Sequence, residues 1–191
     1  MTLKLIIAPA EEPVSLLEAK LHLRVEHSVD DDLITALIQA AREQAEHQTG
    51  RALVTQTWER VLDAFPCVEI ELGLPPVASI VSVTYIDSAG VATVLDPLAY
   101  SLDADTPHGW LLPAEGYAWP STLDTANAVR VRFTTGYGGA AAVPAGLKAW
   151  IKLRVGTLYS QREEVAAGVS LSSLPGSYAD RLLDPYRVWS I

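Results

Sequence analysis

Cysteine is almost absent from this chain. Cys67 stands alone among 191 residues, which excludes an internal disulfide framework and any zinc cage built on thiolates. A reducing compartment, or indifference to redox, fits that count. Basic side chains are scarce as well: 14 Lys and Arg face 23 Asp and Glu, for a formal net charge of −9. A protein that coats nucleic acid needs the opposite balance, because phosphate neutralisation takes clustered cations; a local basic patch stays open. Long apolar runs are missing too. No uncharged stretch is longer than Phe133 to Leu147, which is interrupted by Gly136, Gly138, Gly139, Pro144 and Gly146, so no membrane span is predicted. The N-terminal Leu3-Lys4-Leu5-Ile6-Ile7-Ala8 is too short for a signal-peptide core and runs into Glu11 and Glu12. The expectation is a protein made and used in the cytoplasm, or assembled from there. With 49% hydrophobic and 19% charged residues, the chain can bury one core, or one core carrying an insertion.

Signatures of catalysis are also lacking. There is no G-x-S-x-G elbow and no phosphate-binding G-x-x-x-x-G-K, and His22, His27, His47 and His108 show no metal-ligand spacing. Asp30-Asp31-Asp32 fits the acidic first turn of a helix better than a cation site, since successive helical side chains point about 100° apart. Gly136-Tyr137-Gly138-Gly139-Ala140-Ala141 formally matches G-x-G-x-x-A. A dinucleotide site, however, needs a strand-helix-strand unit around those glycines, and a connection from sheet to helix explains them. Glu69 and Glu71 share a strand face and read as an outward acidic stripe. Asp103, Asp105 and His108 would be the residues of a polar pocket if the β region were a small hydrolase or a carbohydrate-binding module. No catalytic residue, metal site or cofactor is predicted.

What is present sorts by period. Ser15-Leu16-Leu17-Glu18 is a capping-box pattern, after which Leu17, Leu21 and Val25 recur at helical spacing. A second helix opens at Asp30-Asp31-Asp32, places Ile34, Leu37, Ile38, Ala41 and Ala45 on one face, and stops at Gly50. From about Val54 to Phe133 the period changes to two. Val68 to Leu72 alternates apolar with acidic and Val129 to Phe133 apolar with basic, while Ser79 to Ile86 and Val91 to Leu95 flank the turn Asp87-Ser88-Ala89-Gly90. Helical period returns at Pro144 with Leu147, Trp150, Ile151, Val155 and Leu158. A Ser/Gly/Pro linker at 168–176 follows, then a short helix at about Tyr178 to Leu183. The predicted fold is α+β: a helical bundle, made of an αα pair at the N-terminus plus C-terminal helices, with an inserted antiparallel sheet or sandwich. Its parts are residues 1–53, 54–142 and 143–191.

Charge divides along the same lines. The three parts hold 9 acidic and 5 basic, 10 and 3, and 4 and 6 side chains when the first boundary is set at residue 55, so the C-terminal part is the only basic one. Lys148, Lys152 and Arg154 form a candidate basic stripe for a channel or an interface; a solvated lysine face is the plainer reading. Tyr186, Arg187 and Trp189 near the chain end are of the types that dominate interface energetics, although a tail folded back on its own core uses the same residues.

Pro13-Val14-Ser15-Leu16-Leu17-Glu18-Ala19-Lys20-Leu21-His22-Leu23-Arg24-Val25, Asp30-Asp31-Asp32-Leu33-Ile34 and Thr49-Gly50-Arg51-Ala52-Leu53 resemble the head-to-tail connector, or adaptor, proteins of tailed bacteriophages. The likeness continues through Thr55 to Trp58, Pro75-Pro76-Val77, Ser82 to Tyr85, Gly109 to Trp119, Val129 to Gly138 and Leu182 to Val188, in order along nearly the whole chain. The resemblance implies a non-catalytic virion protein forming a ring, commonly twelve-fold, under the portal vertex. It implies a ring that extends the DNA channel, touches packaged DNA transiently and without sequence specificity, and receives the next neck or tail-completion protein. It also implies that the C-terminal segment docks on the portal, which gives Asp184, Pro185, Tyr186, Arg187, Val188 and Trp189 that role. A stopper-like neck component is the alternative within the same class. Membrane partners are not expected.

Overall fold

The computed structural model describes residues 2–106, 108–161 and 177–188; the linker at 168–176 lies outside them. The chain divides into two compact units, a β unit of residues 1–10 and 54–137 and a helical unit of residues 11–53 and 138–191. The α+β class is as the periodicity predicts. The boundaries differ from the expected 1–53, 54–142 and 143–191 in that the first ten residues join the sheet and the helical unit resumes at Gly138.

The β unit has two antiparallel sheets. Five strands run in the order β1 (Thr2–Ile7), β2 (Gln56–Leu62), β8 (Val129–Thr135), β4 (Val77–Ile86), β5 (Ala92–Val94), and three in the order β3 (Ile70–Glu71), β7 (Trp110–Pro113), β6 (Tyr100–Asp103). Both contribute to one core of Leu62, Ile70, Leu72, Val77, Val83, Leu111, Val129, Val131 and Phe133, the signature of a sandwich. Phe65 caps this core, stacked on Trp119 at 4.9 Å and edge-on to Tyr85 at 5.7 Å. The predicted hairpin forms between β4 and β5: Asp87 Oδ1 accepts from the Ala89 and Val91 amides at 2.9 Å, and Gly90 takes φ +82°. Two expectations are corrected. The strand expected over Val68 to Leu72 shrinks to Ile70–Glu71. Leu3 to Ala8, read only as too short for a signal core, supplies most of an edge strand whose partner β2 lies some 50 residues on.

In the helical unit the capping box forms as its spacing predicts: Ser15 Oγ accepts from the Glu18 amide at 3.2 Å, and Glu18 Oε2 accepts from the Ser15 amide at 2.8 Å. It starts α1 (Leu16–Leu23). α2 (Asp31–Thr49) buries Ile34, Ile38, Ala41 and Ala45 and ends at Gly50 with φ +67°. α3 (Ala145–Ser160) buries Leu147, Trp150, Ile151 and Val155, α4 is a single turn (Ser177–Asp180), and a 3₁₀ turn spans Asp184–Tyr186. Burying each large aliphatic side chain here contributes about 1.5–3 kcal/mol. The stripe Leu17, Leu21, Val25 does not face this core. Leu17 and Leu21 are 69% and 71% exposed, because α1 turns Ala19 inward, with Leu16 and Leu23 half-buried beside it, and Leu17 and Leu21 lie on the opposite side at 100° per residue.

Candidate functional site

The Gly-rich connection has the sequence nearest to a ligand-binding motif. Gly136 has φ +117°, and a Cβ there would lie 2.6 Å from the carbonyl group of Val54, so glycine is required by close backbone approach. After it comes a 3₁₀ turn at Ala140–Ala142 rather than a helix. The Ala140 amide, which a phosphate would need, donates at 2.7 Å to Glu11 Oε1. The loop is therefore a connection, as its context predicts, with its open donor taken by the chain's own carboxylate.

Asp103, Asp105 and His108 do not converge. Asp103 Oδ1 accepts from the Asp105 amide at 3.0 Å, whereas His108 Nδ1 lies 3.1 Å from Glu71 Oε1. Among the described residues no group of three His, Cys, Asp or Glu side chains is placed to hold a metal ion, and no helix is long and apolar enough to cross a membrane.

The basic stripe separates into two. Lys148 and Lys152 lie four apart on α3, and both act on Glu18 of α1. Its carboxyl sits below the ordinary range chiefly through hydrogen bonds from the Ser15 amide and hydroxyl, with these two lysines adding a smaller pull. Arg154, two residues beyond Lys152, projects about 200° away around the helix, and its Nε donates to Gln44 Oε1 of α2 at 2.7 Å. Arg154 thus braces two helices and does not extend the stripe.

The C-terminal segment is anchored from Leu183 to Val188. Leu183 is fully buried. Arg51 Nε donates to the Tyr186 carbonyl at 2.5 Å and the Val188 amide donates to the Thr49 carbonyl at 2.8 Å, which ties the segment to the C-terminal end of α2. The Tyr186 ring covers Gly146 on the first turn of α3, where a Cβ would stand 3.2 Å from it, and Arg187 pairs with Asp184 at 3.5 Å. Asp184 and Pro185 stay exposed while Tyr186, Arg187 and Val188 are half-buried. Of the two readings that the sequence left open, the fold-back holds for the segment through Val188; Trp189 lies outside the described residues.

Three polar groupings were not foreseen. Asp30, at the N-cap of α2, makes no side-chain cap bond and accepts instead from the Tyr159 hydroxyl of α3, while Asp31 pairs with Lys20 of α1 at 2.6 Å, so the acidic triplet ties three helices together. Arg42, 5% exposed, pairs with Glu12 at 2.8 Å, Glu46 at 2.6 Å and Glu43 at 3.4 Å. Glu59 of β2, equally buried, takes Arg130 Nη1 and Arg132 Nη2 of β8 at 3.0 Å each. The i, i+4 spacing of Arg42 and Glu46 is a legible signal; apart from the adjacent Arg42 and Glu43, the other pairings cross between different segments.

No curated protein matches the chain significantly. Solved structures do, over its whole length. A chain from the neck of an empty gene transfer agent particle, computed with C6 symmetry, is 24% identical with a TM-score of 0.82. A chain from the virion of the native particle is 23% identical with a TM-score of 0.81, and one from the native neck, computed with C12 symmetry, 23% with 0.80. Each comparison covers 100% of this chain and 97% of the other. They establish the fold. Residues 13–76, which hold α1, α2, β2 and β3, match the family model of the phage gp6-like head-tail connector proteins, so the chain is similar to that family in its first part and shares the fold of these particle chains throughout.

Proposed function

We propose that this chain is a structural, non-catalytic neck subunit of a tailed phage or phage-like particle, a connector that forms a ring under the portal vertex. That ring extends the DNA channel and offers a docking site to the next neck or tail-completion protein. The observation that carries the reading is full-length similarity to neck chains at TM-scores of 0.80–0.82, coupled to the connector match over residues 13–76. Its partners are then the portal protein, a stopper or tail-completion protein, and further copies of itself, with twelve subunits as the expected ring. Ring closure needs a heterologous surface repeated from copy to copy, and the outward Leu17 and Leu21 of α1 offer apolar area for it. Assembly takes place in the host cytoplasm, and the mature location is the virion neck.

The portal-facing segment is Asp184 to Trp189. Its backbone, anchored as far as Val188, supports a preformed surface rather than a loose arm, with Asp184 and Pro185 most accessible. Co-sedimentation with the portal ring of the same particle, followed by imaging with class averaging, tests the function. A stoichiometric collar on one end of the portal is the expected result, and a folded chain that leaves an intact portal bare would refute the adaptor role. Deleting residues 184–191 should abolish that collar, and full binding by the folded truncated chain would remove the segment from the interface.

A further inference from the structure

The five-stranded sheet has one face in the sandwich core and one turned away from it; this second face is buried along β2 at Thr57, Glu59 and Val61, is exposed at Lys4 of β1, and has an unusual composition for this chain. Register sets it out in rows: Lys4 pairs with Glu59, Glu59 with Arg132, and Arg132 with Ser82, while Arg130 lies between Val61 and Thr84. Thr134 and Ser79 on the β8 and β4 part of that face are hydroxyls 2.7 Å apart, and Val81, at a register shift in β4, is 53% exposed. The β unit holds ten acidic and four basic side chains, a balance of −6. Three of those four cations are on this face, and the single acid among its paired strand residues is Glu59.

Glu59 does not cancel them. Its side chain is 7% exposed, whereas those of Arg130 and Arg132 are 47% and 42% exposed. Each arginine gives Glu59 one hydrogen bond of 3.0 Å from a terminal nitrogen, and a guanidinium has five N–H donors. The buried carboxylate therefore fixes two outward forks about 7 Å apart along the strand, with Lys4 two strands away on the far side of Glu59 and the hydroxyl residues Ser82 and Thr84 opposite the arginines on β4. Guanidinium, ammonium and hydroxyl donors are the groups that contact nucleic-acid backbones.

We propose that this sheet face, through Lys4, Arg130 and Arg132, binds the phosphate backbone of double-stranded DNA without sequence preference. It goes beyond the neck reading by giving the β unit a ligand, and it moves the DNA contact away from Lys148 and Lys152. Few contacts and one opposing carboxylate make each subunit's grip weak, which suits a surface past which DNA slides.

The test is fluorescence anisotropy of a labelled random-sequence duplex with the full chain at 50 and 200 mM NaCl. Three phosphate contacts predict that affinity falls about 40-fold across that range. In the variant Arg130→Gln/Arg132→Gln/Glu59→Gln, which leaves no stranded buried carboxylate, about one contact remains and the fall is roughly 3-fold. Glu59→Gln alone should tighten binding, because it frees both arginines, and Lys148→Gln/Lys152→Gln should leave binding as in the wild type. Circular dichroism confirms that each variant is folded. The proposal is overturned if the wild type shows no salt-dependent binding, if the triple variant matches it, or if the lysine variant alone abolishes binding. Portal co-sedimentation reads the neck function separately, so either conclusion can fail while the other stands.

Discussion

Replacing Arg42 by methionine is the sharpest probe of what holds the helical unit together. Arg42 is 5% exposed on α2, and its guanidinium faces Glu12 and Glu46 at 2.8 and 2.6 Å. Glu46 also accepts from the Leu53 amide at 2.9 Å, so the arginine joins the start of the helical unit, the last turns of α2 and the segment beyond it. Methionine keeps much of the apolar volume and removes the charge, stranding two carboxylates in a poorly hydrated site. Breaking one side of a buried ion pair costs roughly 3–5 kcal/mol; the Glu12 side chain is 26% exposed, which places the expected loss near about 3 kcal/mol, a hundredfold in the folded-to-unfolded ratio. Urea unfolding followed by far-UV circular dichroism reads it, because α1, α2 and α3 all belong to this unit. The pH dependence has a definite sign. Burial already pushes the Glu12 carboxyl above its ordinary value, against the hydrogen bond and charge of Arg42, and without Arg42 it rises further. A raised acid favours the fold below its unfolded pKa and loses that advantage as pH climbs through the folded one. The deficit of Arg42→Met should therefore shrink from pH 7 toward pH 4.5, and adding Glu12→Gln and Glu46→Gln should recover most of it. A loss below about 1 kcal/mol, or one that does not change with pH, would refute the reasoning.

Three further outcomes follow from the same geometry. Gly136→Ala forces a non-glycine residue to φ +117° with its Cβ 2.6 Å from Val54, and the β unit should lose at least about 2 kcal/mol in thermal or urea unfolding. Burial would raise Glu59, but hydrogen bonds from Arg132 and Arg130 and their charges outweigh it and hold its carboxyl below the ordinary value. Its stabilisation is thus present above the unfolded pKa and lost as pH falls through the folded one, so Glu59→Gln should flatten the acid limb of the stability profile measured between pH 7 and pH 3. Leu17→Ser/Leu21→Ser, at positions 69% and 71% exposed, should change subunit stability by no more than about 0.5 kcal/mol while portal-templated collars fail to form in negative-stain images; a large loss of stability would show that these leucines are core.

Local signals in the sequence were reliable wherever the physics is local. The Ser15–Glu18 box, the Gly50 stop, the Asp87–Gly90 turn and the inward faces of α2 and α3 each depend on residues within a few positions, and each stands where its spacing puts it. Failures came where a partner lies far along the chain. Thr2–Ile7 is an edge strand only because β2 pairs with it, and the Val68–Leu72 alternation loses most of its strand because only Ile70 and Glu71 find partners in β7. α1 shows a second kind of failure. Leu16, Leu17, Leu21 and Leu23 provide two apolar stripes at helical spacing, and only the packing against α2 and α3 decides that the one containing Ala19 goes inward. The acidic triplet is a third: its helix-start position was legible, but the bonds to Lys20 and Tyr159 depend on where α1 and α3 pass.

The C-terminal segment shows why interface and core cannot be told apart from residue type. Tyr, Arg and Trp anchor both, since both need large area at little entropy cost. In the structure, Arg51, Thr49 and Gly146 hold the segment by its backbone and by the Tyr186 ring, while Asp184 and Pro185 stay in solvent. A segment held this way has already given up most of the backbone freedom that a loose tail would lose on binding, about 1–2 kcal/mol per residue fixed. Anchoring therefore strengthens a docking role instead of competing with it: the fold supplies the ordering, and a partner gains the contact without that cost. For the portal docking proposed above, it also shifts the expected contact, from the aromatic and Arg side chains that the sequence singled out to the exposed turn in front of them.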